Sequence, residues 1–91
     1  MTEAPWDLMV AGPARRAIDR LPDKIALAVL EYLVGPLLEN PDRVGKALRG
    51  DLAGLHSARV GAYRIVYEIN QGSHTVRVIY IDHRADIYRP R

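Results

Sequence analysis

Residues 55–69 read LHSARVGAYRIVYEI, two runs with strand character on either side of Gly61-Ala62. A two-residue loop with glycine first predicts a type II′ hairpin. That loop pairs Val60 with Tyr63, Arg59 with Arg64, Ser57 with Val66 and Leu55 with Glu68. The intervening positions, His56, Ala58, Val60, Tyr63, Ile65 and Tyr67, form a mostly apolar and aromatic face, the natural core side. The opposite face then carries two arginines directly across from each other. Like charges in that register weaken a sheet by a fraction of ~1 kcal/mol. A fold tolerates the conflict more readily when an anion binds between them.

The rest of the chain is organised around this hairpin. Ninety-one residues suffice for one small domain and not for two, so a single domain over residues 1–91 is expected. The absence of cysteine excludes disulfides and thiolate chemistry and fits a reducing cytoplasm. The N-terminus MTEAPWDL has no apolar segment of a signal peptide, and no apolar run approaches the ~20 residues of a bilayer span, so no membrane association is expected. Net charge is +2, unevenly spread. Residues 1–58 hold seven Lys/Arg against eight Asp/Glu, whereas residues 59–91 hold six cations, all Arg, against three acids. Arginine presents a planar fork of donors suited to phosphate. The basic C-terminal third points either to an anionic partner, nucleic acid first, or to a solvated arginine-rich surface.

Along the chain, Trp6, Leu8 and Val10 alternate as in a short strand. Gly12-Pro13 opens a helix whose stripe is Ala14, Ala17, Ile18 and Leu21. Pro22-Asp23 starts a second helix on Ile25, Val29, Leu33 and Leu37, with Ala26, Leu30 and Val34 widening the stripe into a largely buried helix. Pro36 predicts a kink or break, and Asn40-Pro41 ends the segment. Residues 41–54 have the glycines and polarity of a loop. Beyond the hairpin, a five-residue turn at 70–74 leads into the strand TVRVIYI. That turn pairs Ile69 with Thr75, Val66 with Val78 and Arg64 with Tyr80, and places Tyr80 and Asp82 on the arginine face. The expected architecture is α+β, ordered β-α-α-β-β-β. Two N-terminal helices pack on one face of a mostly antiparallel four-stranded sheet, and the arginine face stays open.

The segments LPDKI with PLLENP, VGKALRGDLAGLHSARVGAYRIVYEI and YIDHRADIY add a family pattern. Their combination of LRG, RxGxYRIVY and an HRxDIY tail resembles the RelE/ParE superfamily of type II toxins, RelE-like members from actinobacteria most closely, over nearly the whole chain. The resemblance implies a RelE-like fold and a ribosome-dependent messenger RNA endonuclease. It implies a cognate RelB-like antitoxin that wraps and silences the toxin, with DNA met only indirectly through that antitoxin. It makes Arg64 the sheet-face arginine, Tyr88 the C-terminal aromatic and Arg59 a further basic position of the same strand pair. Where such nucleases carry lysines before the hairpin, this chain has Leu55 and Ser57. Where they carry an arginine after the last strand, it has Asp82, then His83 and Arg84.

Cleaving RNA without a metal requires a 2′-OH to be oriented or deprotonated, the phosphorane charge to be stabilised, and the leaving 5′-oxygen to be protonated. Arg59 and Arg64 suit the second task, against the bland alternative of an exposed pair. Tyr88 suits proton handling or base stacking, against packing on the sheet edge. His83 is the near-neutral proton carrier closest to the sheet end, against a plain surface histidine. Lys46, Arg49 and Arg84 suit contacts to RNA backbone, against solvation. His56 falls on the core face as a satisfied imidazole, and His74 falls in a turn. The three histidines are scattered and no carboxylates have ligand spacing, so neither metal nor cofactor is expected. Two other readings stay open: a ParE-like toxin that blocks DNA gyrase without catalysis, and an RNA-binding module without activity.

Overall fold

The computed structural model describes residues 6–83. Tyr88 and Arg84 therefore lie outside the described residues. A single five-stranded sheet is ordered β1-β5-β4-β3-β2, one strand more than the sequence predicts. Strand β1 (Asp7–Val10) runs parallel to β5 (Thr75–His83). Strands β3 (His56–Val60), β4 (Tyr63–Asn70) and β5 form an antiparallel meander. The added strand, β2, is only Lys46-Ala47, antiparallel to β3 with Lys46 opposite Ser57. Two residues are too short to show alternation, which is why residues 41–54 look like a loop in the sequence.

Helices α1 (Gly12–Arg20) and α2 (Asp23–Val34) precede two short turns of helix, α3 (Pro36–Glu39) and α4 (Pro41–Val44). Pro13 enters α1 in its first turn, where a missing amide costs nothing. Asp23 places a carboxylate at the positive end of α2. Gly35 ends α2 and Pro36 begins α3, so the predicted break occurs. The core holds Ala14, Val29, Leu33 and Leu37 from the helices against Ala58, Ile65, Tyr67, Val76, Val78 and Ile81 from the sheet. All the helical core residues meet one sheet face, and a single layer covers only one side of a helix. Leu27, Leu30 and Val34 accordingly stay 59, 43 and 64 % exposed, so α2 is not the largely buried helix its composition predicts.

The first hairpin has the predicted register, with Arg59 opposite Arg64 and Val60 opposite Tyr63. Gly61 has φ +58°, whereas Ala62 does not have positive φ, the signature of a II′ rather than a I′ loop. The second hairpin departs from expectation. Asn70 pairs with Thr75, so the turn holds four residues and the pairings from Asn70 back to Tyr67 move by one. A one-residue slip exchanges the faces of a strand. It takes Val76 and Val78 into the core and leaves Arg77 outside, where it meets Glu68 at 3.2 Å. The turn closes through His74 at φ +55°, an uncommon conformation for a residue with a Cβ. Its ring stacks on Trp6 with centroids 3.8 Å apart, and its carbonyl accepts from the Asp7 amide at 2.9 Å. Between Tyr67 and Val66 the ladder shifts again: Tyr67 opposes Val78, but Val66 opposes Tyr80. This bulge leaves Ile79 as the extra residue. Asp82, rather than Tyr80, consequently lies across from Arg64.

Candidate functional site

Register partners share a face of a sheet, so the side that is helix-free among the described residues can be written as rows. Arg59, Arg64 and Asp82 form one row across β3, β4 and β5. Lys46, Ser57, Val66 and Tyr80 form the next, across β2 to β5. Glu68 and Arg77 follow. This face is not bare: Val66 at its centre is 1 % exposed and lies outside the core cluster on the other side. Arg64 and Glu68 on its own strand and Tyr80 across from it stand around it. Arg59 and Lys46, towards the rim, are exposed.

A cleft of about 450 Å³ opens along the β2 side of this face. Lys46, Arg59 and Arg64 line it, with Ser57, Leu48 and Val44 among its other walls. The size is within the range of small-ligand pockets, roughly 300–1,000 Å³. In a two-residue hairpin the closing pair, Val60 and Tyr63, is hydrogen-bonded, and the next pair out is not. Arg59 and Arg64 are that next pair. It is the closer kind, with Cα atoms ~4.5 Å apart, so both guanidinium groups can bear on one anion.

The β2 strand that brings Lys46 to the cleft is held by a close approach. The Tyr67 hydroxyl, buried beneath the sheet, donates to the Pro41 carbonyl at 2.7 Å. Burial, and then the neighbouring Tyr32 and Asp42, pushes the Tyr67 hydroxyl well above the usual tyrosine pKa. Gly45 passes directly over that hydroxyl; an added Cβ would strike it and stand 2.7 Å from the Ser57 carbonyl. Gly45 has φ −121°, a conformation open to any residue, so glycine is needed there for room.

Of the sequence-predicted residues, Lys46, Arg59 and Arg64 come together. Arg49 is exposed ahead of a 3-10 turn at Gly50–Leu52 and is not among the cleft walls. His83 pairs with Tyr63 and lies edge-on to its ring, centroids 5.2 Å apart, on the face opposite Arg64. Strand alternation puts Asp82, not His83, beside the arginines. His56 stacks on Tyr67 at 5.6 Å, and its buried Nδ1 has no hydrogen-bond partner among the described residues, where the sequence predicts a satisfied imidazole. Asp82 and Tyr80 are the members of the face whose place the sequence registers only partly, because the bulge sets it. Among the described residues, no three His, Cys, Asp or Glu gather as metal ligands, and no helix is long and apolar enough to cross a membrane.

Comparisons with known proteins agree on the family. The chain is 52% identical over 85 residues to Toxin RelE of Mycobacterium tuberculosis, covering 93% of this chain and 88% of that one. It is 47% identical over 85 residues to Toxin RelG of the same organism, covering 93% and 98%. The crystal structure of the toxin–antitoxin complex RelBE2 from Mycobacterium tuberculosis superposes with a TM-score of 0.85 at 43% identity, covering 89% of this chain and 100% of that one. A sequence profile of the family described as the ParE toxin of type II toxin-antitoxin system, parDE, matches residues 8–88, and the chain belongs to this family of type II toxins.

Proposed function

We propose that this protein is a ribosome-dependent messenger RNA endonuclease, silenced by a cognate RelB-like antitoxin. The observation that carries the reading is the convergence of Lys46, Arg59 and Arg64 on one cleft of the helix-free face. In the reaction, the 2′-oxygen gives up its proton and bonds to the adjacent phosphorus, the bond to the 5′-oxygen breaks and that oxygen takes up a proton, and the phosphorane between them carries an extra negative charge. Two guanidinium forks and one ammonium group are placed to hold that charge. The lysine that RelE-like nucleases carry before the hairpin is Ser57 here, yet Lys46 is its cross-strand neighbour on the same face. A cation on β2 thus serves the place where β3 lacks one. Tyr88 keeps the role that the resemblance implies, proton handling or base stacking, and Arg84 a backbone contact. His83, facing the helices, takes no part in the clamp.

The antitoxin is a small acidic partner that covers the arginine row or displaces the Tyr88 tail. Its support is that the M. tuberculosis relative was solved as a toxin–antitoxin complex. The pair acts in the cytoplasm, on translating ribosomes.

The test is a translation extract supplied with the toxin. Message cleavage at the ribosomal A site that is lost in Arg64→Ala supports the reading, and intact message refutes it. One observation favours a second reading: the family description names parDE, whereas the relatives near 50% identity are named RelE and RelG. Intact message together with blocked gyrase supercoiling would make the protein a ParE-like gyrase inhibitor.

A further inference from the structure

The chain contains five tyrosines, one tryptophan and no phenylalanine. Among the described residues, Tyr67 lies in the core, and Trp6, Tyr32 and Tyr63 pack against it. Tyr80 does not. It stands half-buried on the helix-free face, opposite Val66 and one row from the arginines. Three aromatic pairs form among the described residues, Trp6 with His74, His56 with Tyr67 and Tyr63 with His83, and Tyr80 is in none of them.

The charges along the two rows are polarised. Lys46, Arg59 and Arg64 occupy the β2, β3 and β4 side, and Asp82 occupies the β5 side, next to Tyr80. A polyanionic backbone is drawn to the first side and repelled from the second. What the β5 side offers a nucleotide is a flat apolar ring. Tyr80 and Asp82 are two residues apart on β5, ~6.7 Å along a strand. One ribose separates a base from its phosphate by a reach of that order.

We infer that Tyr80 is a stacking platform for one unpaired RNA base whose flanking phosphate lies against Arg59 and Arg64. The inference rests on the reading of this face as an RNA site. Every base has a flat face, so the contact grips a single strand without reading its sequence. A base held in a duplex cannot reach it.

The experiment uses the full chain, an unstructured single-stranded RNA oligonucleotide and a perfect RNA duplex, each with a fluorescent end label. Dissociation constants are read by anisotropy over a series of salt concentrations. Tyr80→Leu weakens single-strand binding by about five- to a hundredfold, the range to which a stacked base corresponds. It leaves the salt slope and duplex binding unchanged. Tyr80→Phe, which keeps the ring, stays within twofold of wild type. Arg64→Ala weakens binding to both RNAs and flattens the salt slope. Independently of any substitution, 2-aminopurine in the single strand is quenched when wild-type protein binds. Absence of quenching, or a Tyr80→Leu effect within twofold where Arg64→Ala weakens binding, overturns the platform and leaves the nuclease reading standing. Equal loss on single strand and duplex overturns it as well, by showing a structural defect. If wild-type protein binds neither RNA, the platform is overturned, while the ribosome-dependent nuclease reading stands or falls on the translation extract.

Discussion

Gly45→Ala is the substitution that tests how β2, and with it Lys46, is held. A single methyl group at this position meets two obstacles. One is the Tyr67 hydroxyl, whose ring is fully buried and fixed by the bond to Pro41. The other is the Ser57 carbonyl at 2.7 Å, part of the ladder that Lys46 joins. Backbone conformation offers no relief and poses no obstacle, since φ is −121°. Either β2 lifts from β3 or Tyr67 gives up its hydrogen bond. Overpacking of this kind costs about 1–3 kcal/mol. Leaving the buried Pro41 carbonyl without its donor costs about 1–3 kcal/mol. Either outcome, at about 1–3 kcal/mol and a urea m-value near 1 kcal/mol/M for a chain of this size, lowers the denaturation midpoint by about 1–3 M. Adding Tyr67→Phe removes one obstacle and one partner together, so the double variant loses less than the sum of the two single losses. Urea titrations of the four proteins measure the cycle. A Gly45→Ala midpoint within 0.3 M of wild type, an order-of-magnitude threshold on the same scale, or strict additivity with Tyr67→Phe, would refute this account of the junction.

Other substitutions test the remaining parts. Tyr67→Phe alone lowers stability by about 1–3 kcal/mol at neutral pH through the orphaned Pro41 carbonyl. Because burial raises the Tyr67 pKa, the folded state holds that proton more tightly than the unfolded chain does. The resulting stability is complete below pH ~10 and is lost as pH rises beyond it, so Tyr67→Phe flattens the alkaline fall in urea midpoint. His56→Phe removes a buried nitrogen that has no partner among the described residues while keeping a ring against Tyr67. It raises the melting temperature or leaves it unchanged, and a fall of more than about 5 °C, near 1 kcal/mol, would contradict the burial described. Lys46→Ala, on an exposed side chain, changes stability by less than about 0.5 kcal/mol. The same variant cuts message cleavage by tenfold or more, read by primer extension in a translation extract. Glu68→Ala breaks the exposed pair with Arg77 and shifts stability by about 1 kcal/mol at most.

What the sequence made legible followed from where local chemistry was sufficient. Gly61-Ala62 determines both loop length and loop type, so the register of Arg59 against Arg64 was readable in full. The helix break at Gly35-Pro36 was readable for the same reason. The second hairpin was not, because its turn ends on His74 in a left-handed conformation that Trp6 stacking supports from outside the hairpin. No local signal marks Ile79 as an extra residue, since a run of β-branched residues suits either register. β2 was invisible because two residues are too short to alternate, and it exists only through its pairing with β3. Of the site, Arg59 and Arg64 were legible as a pair and Lys46 as a cation. Its arrival beside Ser57 needed the sheet. His83 shows the reverse, a residue adjacent in sequence to the arginine face but turned away from it by alternation.

The extra residue at Ile79 divides β5 into two sections with separate duties. Thr75 to Val78 are sandwiched between β1 and β4 and anchor the sheet. Among the described residues, Tyr80 to His83 pair with β4 alone, and their outward members, Tyr80 and Asp82, stand opposite Val66 and Arg64. The irregularity works as a joint between them. A strand jointed in this way lets one section hold the interior of the sheet together while the other carries the outward residues of the arginine face.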